Sequence, residues 1–422
     1  MTQRKTLTIG QIGAVIAGNA LEFYDFLTFS FFAVQIGQAF FPSTDSTFSL
    51  LATLATFGVG FLTRPLGGAL IGTLGDRIGR KPAMLFCFSL MGASMLGLAI
   101  TPGYAQIGMA APIIVVLLRL AQGFALGGDV GPVTAFLMEA APAHRRGLYV
   151  ALQHATQYTA NLASGLVGLT LANLLTPAQF GDWGWRIAMA VGVAVVPFAL
   201  AIRRRLPETL HVESGSRPAR LSRPQLTLGL MGIAMLASNT ISTYVLNYTG
   251  VFAIHTLGMP ARLAFAGTAA TGVCGMMGAL LSGWTSDRIG RRPVMIGGTL
   301  VLLALGVPFY LALTRWPNIY GLLAVSGAMA GLVAFYGPAI LAGLTETLPP
   351  SLRAGSVGII YALAISVFGG SAQFVVTWLI AVTGSPIAPA WYMSVALLVG
   401  LAGMARLRET APAVLEKRRL TS

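Results

Sequence analysis

Hydrophobic residues run along this chain in blocks too continuous for strands, and the charged residues gather between the blocks. A helix needs about 20 apolar residues to cross the hydrocarbon core of a bilayer. Blocks of that size recur at 9–34, 48–73, 83–101, 110–139, 149–176, 183–203, 227–254, 262–284, 294–314, 318–346, 356–382 and 388–408. The pattern predicts an all-α integral membrane protein with twelve transmembrane helices. A membrane β-barrel would show short segments of alternating polarity, whereas these blocks are unbroken runs rich in Leu, Ala, Gly and Val. The first block contains two acids and leads straight into further spans, so it reads as a retained helix and not as a cleaved signal.

The polar stretches between blocks repeat. "GTLGDRIGRKP" (72–82) returns as "GWTSDRIGRRP" (283–293), each joining the second and third helix of a six-helix half. "MEAAPAHRRG" (138–147) is echoed by "TETLPPSLRAG" (345–355), which pairs Glu139 with Glu346 and Arg145 with Arg353. Six is even, so both halves start on the same side and form parallel repeats about an axis along the bilayer normal. The expected organisation is an N-terminal bundle at 1–203, a linker at 204–226 and a C-terminal bundle at 227–422.

Composition sharpens this picture. Of 422 residues, 55% are hydrophobic and 9% are charged, against about 25% charged in soluble domains. The net charge of +14 could point to nucleic acid, but 22 of the 27 Lys and Arg fall in the termini and loops of one side, with only Arg186, Arg262 and Arg315 in the loops of the other. Basic residues stay cytoplasmic. The expectation is a multi-pass protein of the bacterial inner membrane with both termini in the cytoplasm and no nucleic-acid partner. Cys87 and Cys274 fall in spans of different halves, and no His/Cys spacing resembles a metal site. No cofactor is expected.

Four ionisable residues fall deep within the spans: Glu22 and Asp25 in the first helix, Arg119 and Asp129 in the fourth. Each costs about 2.5 to 3.5 kcal/mol at a helix centre on insertion scales. Asn19, Glu22, Asp25 and Phe29 follow i, i+3 and i+4 spacing and so share one face. Arg119 could simply neutralise one acid and tie the first helix to the fourth. Three acids against one Arg leave at least one carboxyl to be protonated or solvated, and a carboxyl whose ionisation depends on the approach of an Arg can carry a proton. Asp25 and Glu22 lead as proton-coupling candidates, followed by Asp129, with Arg119 as their modulator.

Two polar stripes mark a candidate substrate site. Gln153, Gln157 and Asn161 are spaced by four on the fifth helix beside His154 and Tyr158, and Asn239, Thr243 and Asn247 are spaced by four on the seventh beside Tyr244. Any one of these side chains could merely bond a neighbouring helix, but stripes on central helices of both halves point to a midplane site. Asn19, Tyr336 and Gln373 are weaker additions, and Arg119 is the candidate partner for a substrate carboxylate. In the loops, an Asp at a helix end can pair with Arg and with the positive end of another helix. This marks Asp76, Arg77, Arg80, Asp287, Arg288 and Arg291 as gating candidates, with Glu139–Arg145 and Glu346–Arg353 as a second set. The alternative is that these charges only fix topology and solubility.

The G-x-x-x-D-R-x-G-R-[RK] loop of both halves resembles the signature of the major facilitator superfamily, and the resemblance covers the whole chain. "GNALEFYDF" (18–26), "RLAQGFALGGDVGP" (119–132) and "WGWRI" (183–187) resemble the metabolite:proton symporter branch, which carries citrate, oxoglutarate, proline, betaine and shikimate. "TFGVGFLTRPLGG" (56–68), the fourth-helix run and "LTETLPPSLRAGSVG" (344–358) are most similar to the citrate and tricarballylate:proton symporters. The resemblance implies secondary active transport by a monomer in the lipid bilayer, with two bundles rocking about a midplane site and a small organic anion and protons as partners. An enzyme would want a nucleophile with its base, or a metal pair, and neither is evident. The chain has no G-x-x-x-x-G-K-[ST] loop for direct ATP drive. A membrane sensor would normally bring an output domain, and the longest cytoplasmic segment is only 203–226. A carrier of oxoglutarate, shikimate, an aromatic acid, proline or betaine, or a facilitator without proton coupling, stays open.

Overall fold

Continuous apolar runs fold as helices because a helix satisfies its backbone polar groups within the segment, and every regular element among the described residues is helical. The structure, a computed structural model, describes residues 20, 23–78, 80–127, 137, 141–204, 223–348 and 350–421. Asn19, Glu22, Asp129 and Glu139 lie outside them, as do the side chains of Asp76, Arg77, Arg80 and Arg353.

The helices are α1 (23–40), α2 (46–78), α3 (Arg80–Ile100), α4 (Ala110–Leu126), α5 (Arg146–Leu174), α6 (Trp185–Arg204), α7 (223–255), α8 (Ala261–Ile289), α9 (Arg291–Arg315), α10 (Ile319–Thr347), α11 (350–383), α12 (Ala388–Arg406) and α13 (Pro412–Thr421). Among the described residues, seven helical stretches from Ser46–Ile71 to Ala388–Arg406 are long and apolar enough to cross a membrane, and Leu85–Ile100 and Ala110–Leu126 are shorter apolar ones. α5 has 29 residues but carries the polar stripe, which dilutes its hydropathy. α13 was not anticipated, since residues 412–421 lack an apolar run.

The Arg-rich turns share one end of the bundle, called here the basic end. There the helices outrun their apolar blocks. The 262–284 and 294–314 blocks lie within Ala261–Ile289 and Arg291–Arg315, so the repeated motif is almost wholly helical. Gly290 alone makes the turn, at φ +114°, where a side chain would be strained. α9 can start at once because Glu409 takes up its first donors: Oε1 accepts from Arg291 N at 2.8 Å and Oε2 from Arg292 N at 3.0 Å.

The two halves meet along two seams. On one, α8 lies against α5 so closely that a Cβ built on Gly283 would sit 2.6 Å from Leu148 Cα. On the other, α2 meets α11, and a Cβ on Gly58 would sit 2.5 Å from the Gly370 carbonyl oxygen. Small residues permit such backbone approach between membrane helices. Several helices are irregular within their length. α2 breaks at Thr63, followed by Arg64 and Pro65, and the Thr63 hydroxyl donates to Leu120 O at 2.8 Å on α4. α7 is interrupted at Tyr248, and α11 widens to a π-turn over Ile365–Gly369. Such turns free backbone positions and re-aim side chains.

Candidate functional site

Spacing by four turns the amides of α5 and α7 toward one another, and between them lies a small open-sided cavity. Its wall draws on both halves: Phe23 and Leu27 of α1, Arg64 of α2, and His154, Gln157, Tyr158 and Asn161 of α5 face Asn239, Thr243, Tyr244 and Asn247 of α7, Leu341 of α10, and Tyr361 of α11. Asn161 Nδ2 donates to Asn247 Oδ1 at 3.0 Å, a direct bond between the halves. Eight residues of the two stripes thus share this wall: His154, Gln157, Tyr158, Asn161, Asn239, Thr243, Tyr244 and Asn247.

Two other sequence candidates do not. Tyr336 is fully buried on α10, with its hydroxyl 3.5 Å from Ser238 O, and it stands outside the wall. Arg119, expected to meet the substrate, is only 1% exposed and lies behind the wall. Its guanidinium carbon sits 4.3 Å from the Phe29 ring centroid and 5.0 Å from that of Phe26. Asp25 is equally buried. Gln122 joins the pair: its side-chain NH2 donates to Asp25 Oδ2, and its carbonyl oxygen accepts from Arg119 Nη1. Among the described residues no direct ion pair links Asp25 to Arg119, and Asp25 Oδ1 has no hydrogen-bond partner. A carboxyl held by a neutral amide at one oxygen keeps the other for a proton.

The basic end carries a charged cluster across the seam. Asp287, near the end of α8, accepts from Gly147 N at 2.8 Å and Leu148 N at 2.9 Å, the first free donors of α5 in the other half. A carboxylate there meets both unpaired N–H groups and the positive end of the helix dipole. Arg291 Nη1 pairs with Asp287 at 2.7 Å, while its Nε and Nη2 reach Glu346 at 3.2 and 3.1 Å. The Glu346 carboxylate also accepts from Thr410 at 2.7 Å. Glu346 is engaged by Arg291, because the α8–α9 turn brings that guanidinium beside α10; its expected partner Arg353 has its side chain outside the described residues. Arg145 is exposed, as is Arg288, whose guanidinium lies over Trp284. At the opposite end, the Ser30 hydroxyl donates to Gln373 Oε1 at 2.6 Å, and the Phe32 and Phe265 rings meet at 4.6 Å across the halves.

Sequence reasoning missed three contributors. Arg64 lies within a span and lines the cavity; a cation between Thr and Pro in mid-helix is its signal in the sequence. Tyr361 carried none beyond being a Tyr in a span. Glu409, the cap of α9, was an acid next to the last apolar run.

A central two-sided cavity between six-helix halves invites comparison with transporters. The model of the Sugar (and other) transporter family matches residues 11–217 and again 213–418, one match for each half. The chain belongs to this family. Among curated relatives, this transporter is 34% identical to a citrate-proton symporter of Klebsiella pneumoniae, over 93% of this chain and 90% of that protein. It is 35% identical to a citrate-proton symporter of Salmonella typhi, over 95% and 94%. It is also 34% identical to the alpha-ketoglutarate permease of Escherichia coli K12, over 91% of each. Its fold matches a D-xylose-proton symporter structure at TM-score 0.74 and 20% identity, covering 96% of this chain and 98% of that one. The transporter is therefore a twelve-helix, two-repeat member of the major facilitator class and not an enzyme, as the repeated loop predicted.

Proposed function

We propose that this transporter moves a small organic acid, a di- or tricarboxylate such as citrate or tricarballylate, together with protons by alternating access. The observation that carries the reading is the polar cavity walled by both halves, in a chain whose full-length relatives include two citrate-proton symporters. The alpha-ketoglutarate permease among the relatives makes oxoglutarate a second candidate of the same chemical class. In this reading the amides of Gln157, Asn161, Asn239 and Asn247 and the hydroxyls of Tyr158 and Tyr244 donate to the substrate's oxygens, with Asn19 and Tyr336 as outlying candidates. Asp25 takes up and releases the proton. Arg119 and Gln122 regulate its charge, and Glu22 and Asp129 are further carriers to be tested.

Alternating access then amounts to opening one end of the interface at a time. The Asp287 contact with the start of α5 latches the basic end, with Arg291 and Glu346 holding Asp287 in position. The repeat assigns Asp76, Arg77 and Arg80 the corresponding task against the start of α11, and Glu139, Arg145, Arg288 and Arg353 to the same gate. The bundles divide at 1–203 and 227–422 about the 204–226 linker. The basic end and both termini face the cytoplasm of a bacterial inner membrane, following the bias of Lys and Arg, and the monomer is the working unit in the lipid bilayer.

The test is uptake into liposomes holding only this protein. An imposed pH gradient should concentrate labelled citrate, tricarballylate or oxoglutarate inside above equilibrium, and an uncoupler should abolish it. Equilibration without accumulation would reduce the protein to a facilitator, and transport of betaine or proline alone would overturn the organic-acid assignment.

A further inference from the structure

We infer that the Asn161–Asn247 amide pair reads a hydroxyl group on the transported acid, so that the cavity selects a hydroxy acid over the same acid without its hydroxyl; this rests on the organic-acid reading above and narrows it to a subclass. A carboxylate at neutral pH only accepts hydrogen bonds, and so does a keto oxygen. A wall made for those groups alone needs nothing but donors. This wall also offers acceptors.

The amide pair is the clearest case. Asn161 Nδ2 donates to Asn247 Oδ1 at 3.0 Å, the one side-chain hydrogen bond of either amide among the described residues. Asn161 Oδ1 is buried without a partner. An amide carries one acceptor oxygen and one NH2 group, so a single bond between two amides leaves one oxygen and one NH2 over. That count is the same whichever of the two donates. Asn239, earlier on the same side of α7, brings a second buried carbonyl oxygen without a partner, packed beside Gly337 of α10. A buried acceptor with no donor is destabilising, and a ligand hydroxyl removes that penalty. Its O–H donates to the free carbonyl while a carboxylate on the same carbon accepts from the free NH2. A hydrogen or a keto oxygen in place of the hydroxyl leaves the acceptor unpaired, and sites built around a hydroxyl reject the analogue that lacks it.

The place of the pair gives the hydroxyl a second effect. Asn161 stands on α5 in the first half and Asn247 on α7 in the second, and both line the cavity. In this arrangement the halves are in contact at both ends, through Asp287 at the basic end and through Ser30 and Gln373 at the other, and Asn161 Oδ1 is covered. Parting of the halves at either end uncovers it. A ligand that bonds to both amides has more contacts in the closed arrangement than in an open one and so favours closure around itself.

The experiment measures binding to the purified full-length protein by calorimetry, at a pH where every acid is fully ionised. Two pairs of probes differ only at the hydroxyl: citrate with tricarballylate, and 2-hydroxyglutarate with oxoglutarate. In wild type the hydroxy member of each pair that binds should bind about tenfold more tightly, the worth of one hydrogen bond and the acceptor it satisfies. Asn161→Leu and Asn247→Leu, close to Asn in shape, should bring the hydroxy acid down to its partner's affinity, with the Ala variants used where a Leu variant does not fold. If either pair binds to wild type without this preference, the hydroxyl inference is wrong and the organic-acid reading stands. If wild type prefers the hydroxy acids and folded variants at both positions keep the same ratio, the hydroxyl is read elsewhere and the assignment to this pair is wrong. If wild type binds none of the four acids, the organic-acid reading fails and the inference falls with it.

Discussion

Replacing Asp287 by Asn is expected to loosen the basic end without unfolding the chain. The carboxylate accepts two backbone N–H groups of α5 at 2.8 and 2.9 Å and pairs with Arg291 at 2.7 Å. Each charge-assisted hydrogen bond contributes roughly 1.5 to 3 kcal/mol, and a charge at a partly buried helix terminus contributes up to about 2 kcal/mol. Asn keeps the shape and one acceptor oxygen, so one N–H bond survives in weaker form. Arg291 keeps both contacts to Glu346. The net loss is about 2 kcal/mol or more, and it falls only on the conformation in which the halves meet at this end. Since 1.4 kcal/mol is a factor of ten, the population of that conformation should fall roughly 30-fold relative to the open one. Spin labels at exposed positions 144 and 289, one on each half, report the separation by double electron–electron resonance in a background lacking Cys87 and Cys274. The Asn variant should move toward longer distances with its melting temperature nearly unchanged. A distance distribution superimposable on that of the parent protein would refute the latch, and so would a variant that fails to fold.

Three further outcomes are expected. Gly272→Val would drive a side chain into the backbone of α5 at Leu162, an overpacking that costs about 1 to 3 kcal/mol; thermal unfolding in detergent should start earlier, and an unchanged midpoint would deny the close seam. Arg291→Lys keeps the buried charge but loses the planar fork that bonds Glu346 and Asp287, so stability should fall by about 2 kcal/mol; a wild-type midpoint would contradict that geometry. Glu409→Gln weakens the cap on α9 by about 1 kcal/mol, and amide exchange at Arg291 and Arg292 should quicken while the centre of α9 stays protected.

Much of this architecture is legible in one dimension because the bilayer permits few solutions. The unbroken apolar runs leave only helices, and the twice-written "DRIGR" motif reveals the repeat. The amide stripes are also readable: spacing by four keeps Gln157 with Asn161, and Asn239 with Asn247, on one side of a helix, and the wall contains all four. Sidedness at finer scale is not readable. Arg119 and Arg64 are both cations within spans, and hydropathy cannot tell that one lies behind Phe26 and the other in front of it. That difference is set by the break at Thr63 and by packing between α2, α1 and α4. Tyr336 looks like a cavity residue in sequence, yet it is buried with its hydroxyl near Ser238 O, a partner far away in the chain. Helix ends were misjudged for a related reason. An apolar block stops where the lipid stops, whereas the helix continues into charged turns as long as its end groups are satisfied, as Glu409 does for α9 from more than a hundred residues away.

The central claim is that the transporter couples substrate to protons through Asp25, and Asp25→Asn tests it in a single liposome preparation. Asn matches the carboxyl in shape and can still accept from Gln122, but it cannot take up and release the coupling proton. Liposomes carrying the variant should exchange labelled for unlabelled substrate at near the wild-type rate, because exchange moves no net proton. They should fail to accumulate substrate when the same pH gradient that drives the wild type is imposed. Accumulation at the wild-type level by Asp25→Asn would contradict the account and move the proton site elsewhere.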